Sequence, residues 1–197
     1  MEPKVDICFQ AIGQSLPVDH GYALYSAISN IVPCFHAAED VGLRLIRGRY
    51  IGQGLLDISP RAELVLRLPV ARVADYLALA GKTLLVDNHA VSIGIPRTRS
   101  LVPAATLYAH LVTTRNGHDE ERFRTEIARQ TATVGVHAEF TLDTRRTFSI
   151  HGRQVVGYSL LASGLMADES IRLQELGLGG RRKMGCGFFE PRDHSEV

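Results

Sequence analysis

Val5-Asp6-Ile7-Cys8-Phe9-Gln10-Ala11-Ile12 alternates in the manner of a strand with one buried face. The stretch after it, Gly21-Tyr22-Ala23-Leu24-Tyr25-Ser26-Ala27-Ile28-Ser29-Asn30-Ile31-Val32, sets apolar residues at helical spacing, with Asp19 placed to cap the helix and Pro33 to stop it. Working outward, residues 44–58 and 62–70 read as two strands around a Ser59-Pro60 turn. Residues 73–80 read as a short amphipathic helix ended by Gly81, and residues 82–95 as a closing strand. The order is βαββαβ. After a break at residues 96–103 it runs again: strand 106–114, helix 119–133, a hairpin of 139–149 and 154–162 around His151-Gly152, helix 168–176 and a final strand at 184–190. The chain is therefore predicted to be α+β, two tandem ferredoxin-like modules over residues 1–96 and 97–197, the architecture of RRM domains. Such sheets bind RNA in many proteins and are purely structural in others, so the fold alone does not decide function.

With 197 residues, 45% of them hydrophobic, the chain can bury packed cores. No apolar run is long enough to span a membrane, and Met1-Glu2-Pro3-Lys4 lacks the cationic start of a signal peptide. A cytoplasmic location without membrane contact is expected. Cys8, Cys34 and Cys186 are odd in number, widely spaced and set among apolar neighbours. They read as reduced packing residues, with no disulfide framework, structural metal or cofactor expected. A net charge of +1 does not advertise nucleic-acid binding. The choice of cation is more telling: Lys4, Lys82 and Lys183 are the only lysines, so nineteen of the 22 cations are arginine, suited to bidentate phosphate contacts and to stacking on bases. A high-GC genome produces the same bias, so this support is slight.

Near the carboxyl end stands Gly177-Leu178-Gly179-Gly180-Arg181-Arg182-Lys183-Met184-Gly185-Cys186-Gly187-Phe188-Phe189-Glu190-Pro191. Two Gly-x-Gly pairs enclosing three consecutive cations suit a loop whose backbone approaches a polyanion while the side chains neutralise it. It is not a P-loop, because Cys186 follows Gly185 where Gly-Lys-Ser/Thr is required. Nor is it a dinucleotide fingerprint, which needs a glycine where Arg182 stands and an acidic residue some twenty positions on. A surface turn with solvated cations is the plainer alternative, though a mere connector has little use for so many entropically costly glycines.

This loop resembles the glycine-rich signature of the RAMP superfamily of CRISPR-associated RNA-binding proteins: Leu178 and Cys186 fill its hydrophobic places, and Phe188, Phe189 and Pro191 extend the match. Within that superfamily the chain resembles the CRISPR precursor-RNA processing endoribonucleases, the sixth Cas protein, and most closely a short, MYXAN-like branch. Three further stretches carry this resemblance: residues 16–27, Pro33-Cys34-Phe35-His36 with Val41-Gly42, and Ile46-Arg47-Gly48. The resemblance implies a CRISPR repeat RNA as substrate and the crRNA as retained product. It implies metal-independent cleavage by the 2′-hydroxyl, leaving a 2′,3′-cyclic phosphate, and, as for many relatives, other Cas proteins of a Cascade-type complex as partners. A noncatalytic RAMP subunit that holds crRNA is the alternative, and a ferredoxin-like regulatory protein that binds no RNA is a third.

Cutting RNA without a metal needs a general base, a proton donor for the leaving oxygen, and cations around the phosphate. Histidine suits both proton roles near neutral pH. Of eight histidines, His20 and His36 bracket the first predicted helix, where the resemblance places a catalytic histidine. His36, in Cys34-Phe35-His36, matches a Leu-His of many relatives and is the first choice. His20 lies near an aromatic position that supports catalysis in some relatives, and reads equally as a loop histidine bonded to Asp19. Tyr22 and Tyr25 are candidates to position or protonate, or to pack in the core. Arg47 and Arg49 are candidates for the transition-state cation that is usually lysine in relatives, and no lysine lies in that region. His118-Asp119 looks like half of a metal-binding motif, but capping by Asp119 explains it better. His89, His110 and His137 read as structural or surface residues, and His194 as part of a tail. RNA binding is expected of Gly177, Gly179, Gly180, Arg181, Arg182, Lys183, Gly185 and Gly187, of the cleft between modules, and of Arg145, Arg146, His151 and Arg153 on the hairpin, for which a solvated tip is an equal alternative. No clear RNP motif or exposed stacking aromatic is evident.

Overall fold

The computed structural model describes residues 2–150 and 152–192, so His151 and His194 lie outside the described residues. The chain forms two compact units, Met1–Ser100 and Leu101–Val197. The first runs β1 (Lys4–Ile12), β2 (Ser15–Pro17), α1 (Gly21–Ile31), α2 (Cys34–Ala37), β3 (Gly42–Arg44), β4 (Gly48–Gly52), β5 (Leu55–Ile58), β6 (Glu63–Pro69), α3 (Val73–Tyr76), β7 (Thr83–Val86) and β8 (His89–Ser100). Its main sheet has the antiparallel order β3-β6-β1-β8-β7. Without the edge strand β7 this is the ferredoxin-like order, with the first strand central.

Alternation along β1 buries Ile7, Phe9 and Ala11, and α1 buries Leu24, Tyr25, Ala27 and Ile28. Phe35 from α2 and Tyr76 from α3 join the same core, edge to face at 6.0 Å. The sheet register sets Asp6 opposite Arg67 on β6 and opposite Arg99 on β8. The Arg67 Nε donates to the Asp6 carboxylate at 2.8 Å, both side chains being buried, and Arg99 reaches the same group at 3.4 Å.

Several predicted bounds change. Residues 44–58 are not one strand: after Arg44 the chain leaves the main sheet, and β4 and β5 form a hairpin that joins β2 in a separate sheet of order β2-β5-β4. Residues 82–95 are likewise a hairpin, turning at Asp87-Asn88, where both φ angles are positive. β8 continues through Pro96, tolerated because it falls beside a bulge and beyond the end of β7. Asp19 does not cap α1; His20 occupies the cap position and makes no side-chain cap bond.

The second unit runs β9 (Thr106–Thr113), α4 (Glu120–Val134), β10 (Glu139–Ile150), β11 (Arg153–Ser163), α5 (Ala167–Leu176) and β12 (Phe189–Pro191). The sheet order β10-β11-β9-β12 is again ferredoxin-like. Phe123 and Ile127 of α4 and Leu173 of α5 pack on Leu107, Ala109, Tyr158, Leu160 and Phe189 of the sheet. Asp119 caps α4, accepting from the Arg122 N–H at 3.0 Å, and Gly135 closes it in the left-handed conformation. The Glu169 carboxylate accepts from the N–H groups of Met166 and His137, tying the start of α5 to the segment before β10. The last strand is shorter than predicted: residues 182–184 make a single 3-10 turn, and only Phe189–Pro191 pairs with β9. No helix among the described residues is long and apolar enough to cross a membrane.

Candidate active site and nucleic-acid interface

His20 and His36 stand at opposite ends of α1, in opposite environments. His20 is buried, with 1% of its surface exposed. Its Nδ1 lies 2.8 Å from the Pro17 carbonyl, which can only accept, so Nδ1 carries the proton; Nε2 accepts from the Ile46 N–H at 3.2 Å. The ring is thereby fixed as one neutral tautomer, and burial pushes its pKa below the ordinary 6.5. These partners are backbone groups, where the sequence suggested the Asp19 side chain. They join the end of β2, the start of α1 and the approach to β4.

His36 is exposed on α2, next to Phe35, which anchors that short helix in the core. Its Nδ1 lies 2.7 Å from the hydroxyl of Tyr25, a largely buried residue of α1. The Tyr25 ring is held between Phe35, 5.6 Å away between centroids, and Tyr22, 6.1 Å away. The pair accommodates either tautomer of the imidazole: the phenol donates to a bare Nδ1, or its oxygen accepts from Nδ1–H, which leaves Nε2 of the neutral ring free to accept a proton. Tyr25 is thus the direct partner of His36, with Tyr22 packed behind it. Arg47 is exposed immediately after Ile46, whose N–H is held by His20. The three cysteines are thiols, and Cys34 departs from expectation in being exposed, unlike Cys8 and Cys186. Among the described residues no three His, Cys, Asp or Glu side chains gather as a metal-ligand set.

In the second unit the glycine-rich loop is packed against its own fold. A Cβ on Gly179 would stand 2.4 Å from the Thr113 carbonyl oxygen at the end of β9, and one on Gly187 would stand 2.1 Å from the Leu178 carbonyl oxygen. Both positions also have positive φ, so any side chain there is excluded twice over. The Gly180 N–H donates to Thr113 O at 2.9 Å, the Gly187 N–H to Leu111 O at 2.7 Å, and the Gly179 N–H to the Gln130 side chain at 2.7 Å. Leu178 and Cys186 are buried between these contacts. Gly177, Gly179 and Gly187 therefore serve close approach within the protein, whereas a Cβ on Gly180 would meet nothing within 4 Å.

The three cations diverge. Arg182 is half-buried, its guanidinium donating to the Leu176 carbonyl at the end of α5. Lys183 is half-buried, and Arg181 is exposed in a left-handed conformation at φ 60°. Arg181 borders two cavities. One, of about 610 Å³, has Ile150, Val155 and Met184 in its wall and Arg153 of the hairpin across from the loop. The other, of about 570 Å³, brings Arg115 and Arg129 to Arg181, beside Gly180 and Glu126. Hydrogen bonds from Arg129 and Gln130 pull the Glu126 pKa down to about 2. Arg145 is exposed and Arg146 half-buried, and neither lines these cavities. Sequence reading named neither Arg115 nor Arg129 as an RNA contact. The available signal was topological: β9 and β12 pair antiparallel, so the turn after β9 and the loop before β12 share one end of the sheet.

The family model described as Cas6 Crispr matches residues 5–194. The CRISPR-associated endonuclease Cas6 of Myxococcus xanthus (strain DK1622) is 38% identical over 187 residues, covering 95% of this chain and 81% of that one. Among solved structures, the product of a Cas6-related gene from Pyrococcus furiosus superposes with a TM-score of 0.67 at 12% identity, covering 98% of this chain and all of that one. The CRISPR endoribonuclease Cse3 bound to a 19-nucleotide RNA gives a TM-score of 0.53 at 13% identity, covering 96% of this chain and 98% of that one. At these identities the structural likeness speaks for the fold.

The packing makes a sharp division among loop variants. Gly187→Ala should cost about 2 kcal/mol or more through clash and backbone strain. Arg182→Ala should cost about 1–3 kcal/mol by stranding a helix-end carbonyl. Gly180→Ala and Arg181→Ala, which disturb no such contact, should stay within about 0.5 kcal/mol in the same urea titration. His20 gives a pH dependence. Because its folded pKa lies below the unfolded value, its neutral form contributes stability fully above about pH 6.5, and that contribution is lost as pH falls through the window beneath. Melting curves between pH 8 and 5 should show wild type losing more stability on acidification than His20→Gln; parallel curves would remove His20 as the source.

Proposed function

This chain belongs to the Cas6 family, and we propose that it is an endoribonuclease that cuts CRISPR repeat RNA within a precursor transcript, without a metal, to release crRNA. The reading rests on one observation above all: an exposed histidine, His36, whose Nδ1 is held by the hydroxyl of Tyr25 on a helix packed into the core. In this proposal His36 takes the proton of the 2′-hydroxyl upstream of the scissile bond, and the oxygen attacks phosphorus. As the bond to the 5′-oxygen breaks, the imidazolium returns the proton to that leaving oxygen, so one product carries a 2′,3′-cyclic phosphate and the other a 5′-hydroxyl. The Tyr25 oxygen accepts from Nδ1–H before and after the transfer, which leaves Nε2 bare to take the proton, and Arg47 neutralises the crowded phosphate. His20 acts through the backbone as a positioning residue, holding Ile46 and with it the segment that carries Arg47.

RNA is gripped in the second unit by Arg181, with Arg153 on one side and Arg115 and Arg129 on the other. An apolar wall faced by arginines suits a sugar or base with its phosphates, and the CRISPR endoribonuclease Cse3, whose fold this chain shares, is bound to a 19-nucleotide RNA in its structure. Glycines of the loop contribute by holding Arg181 in place.

Single-turnover cleavage of a repeat RNA tests the assignment. His36→Ala should slow cleavage by roughly 10²–10⁴-fold while leaving repeat affinity near wild type. Tyr25→Phe should slow it by less and displace the pH profile. Arg181→Ala should do the reverse of His36→Ala, weakening binding and lowering the salt slope by about 0.7–0.9. Normal cleavage by His36→Ala would refute the acid-base role. A wild-type protein that binds the repeat and never cuts it would be the noncatalytic crRNA-holding subunit.

A further inference from the structure

The β4–β5 hairpin presents an aromatic ring that the rest of the chain's economy does not explain. Among six tyrosines and seven phenylalanines, every ring except one is buried or half-buried. The exception is Tyr50 on β4, 64% exposed, followed by Ile51 at 53%. β4 is an outer strand of the small sheet, and its residues 48–51 are all exposed, so Tyr50 and Ile51 serve no core there. Arg49, the preceding residue of the strand, projects to the opposite face, 82% exposed and in loose contact with Asp57 at 3.5 Å, and Arg47 is exposed just before the strand.

The hairpin is nevertheless firmly held. At its base the Ile46 N–H is fixed by His20, and a Cβ on Gly48 would stand 2.6 Å from the Asp57 carbonyl oxygen. Along its length β5 pairs with β2. At its tip Gln53 and Gly54 take the two left-handed positions of a tight turn, and the Gly54 carbonyl accepts from the Val18 N–H at 2.8 Å. A rigid outer strand that exposes a ring on one face and an arginine on the other suits single-stranded nucleic acid crossing its edge: every base has a face that stacks on Tyr, and the long arginine side chain reaches an adjoining phosphate. The charge selects this occupant over an apolar protein strand, which would bury the 82% exposed Arg49 with no more than its loose contact to Asp57, whereas a phosphate gains a cation there.

We propose that the β4–β5 hairpin is an RNA contact in its own right, with Tyr50 stacking on an unpaired base and Arg49 holding a neighbouring phosphate. It rests on the reading of the protein as an RNA-processing enzyme and adds the single-stranded ligand that its first unit grips. Tyr50 lies three residues along the chain from Arg47, about 10 Å at strand rise, so the stacked base is within a few nucleotides of the phosphate that Arg47 neutralises.

The chain has no tryptophan, so Y50W installs a single reporter. Emission of Y50W and anisotropy of a labelled RNA would be followed together, with a repeat RNA and with single-stranded oligo(A) and oligo(U), in the His36→Ala background to prevent cutting. The expected result is quenching that saturates with the anisotropy change, and none for L85W, an equally exposed site on β7. In addition, Tyr50→Ala should weaken single-strand affinity roughly tenfold or more with Tyr50→Phe near wild type, and Arg49→Ala should lower the salt slope by about 0.7. RNA that binds with Y50W emission unchanged and with Tyr50→Ala equal to wild type would overturn this contact alone. No RNA binding at all would overturn both this proposal and the function it rests on. Emission that changes with protein concentration in the absence of RNA would make the hairpin an interface between copies of the chain, and would overturn it as well.

Discussion

The imidazole of His20 gives both of its nitrogens to the backbone, and the first unit's functional surface depends on that. Nδ1–H holds Pro17 at the end of β2, Nε2 holds Ile46 before β4, and the residue itself begins α1. Two stretches 26 residues apart meet on one ring: the turn from β2 into the helix that carries Tyr25, and the loop that carries Arg47 and runs on into the hairpin of Tyr50. A charged imidazole could not accept from Ile46, so the arrangement requires the neutral ring that burial enforces. His20, the second catalytic candidate in the sequence, thus has a geometry suited to positioning, and His36, the first choice, exposed on α2, has the geometry suited to proton transfer.

The second unit solves a different problem, the passage of a loop across the end of its own sheet. Leu178 and Cys186 fill the space beneath, and Gly179 and Gly187 beside them leave room for carbonyl oxygens that a Cβ would strike. The outcome is a stiff support that exposes one arginine, Arg181, and turns another, Arg182, into a cap for α5. The low net charge follows from the same economy. On α4, Arg124 pairs with Glu120 and Arg129 with Glu126, so the basic surface is a matter of placement that a sum over the chain conceals.

The repeated βαββαβ order was legible in the sequence because alternation and helical spacing are local signals, and both units fold in that ferredoxin-like order, whereas the short β2 and α2 and the separate edge strand β7 were not read. The hairpin inside residues 44–58 was not, since β-favouring residues flank it throughout; the Gly52-Gln53-Gly54 turn was its only sign. Missing that turn also hid Tyr50, whose exposure follows from sitting on an outer strand of the small sheet. Tyr22 and Tyr25 are three residues apart and share a face of α1, so spacing could not choose between them; the position of Phe35 in the core brings His36 to Tyr25. The glycine-rich motif was easy to find and its purpose was not, because close approach to a ligand and close approach to the fold demand the same residue.

The central claim is that His36, poised by Tyr25, transfers protons in a cleavage that uses the RNA's own 2′-hydroxyl. It is tested most directly by analysing the ends of a cleaved repeat RNA by mass spectrometry, with excess EDTA present and with a matched substrate lacking the 2′-hydroxyl next to the cut. The account predicts a 2′,3′-cyclic phosphate and a 5′-hydroxyl in EDTA, and no cleavage of the deoxy substrate. A 3′-hydroxyl with a 5′-phosphate, or cleavage of the deoxy substrate at an undiminished rate, would contradict it.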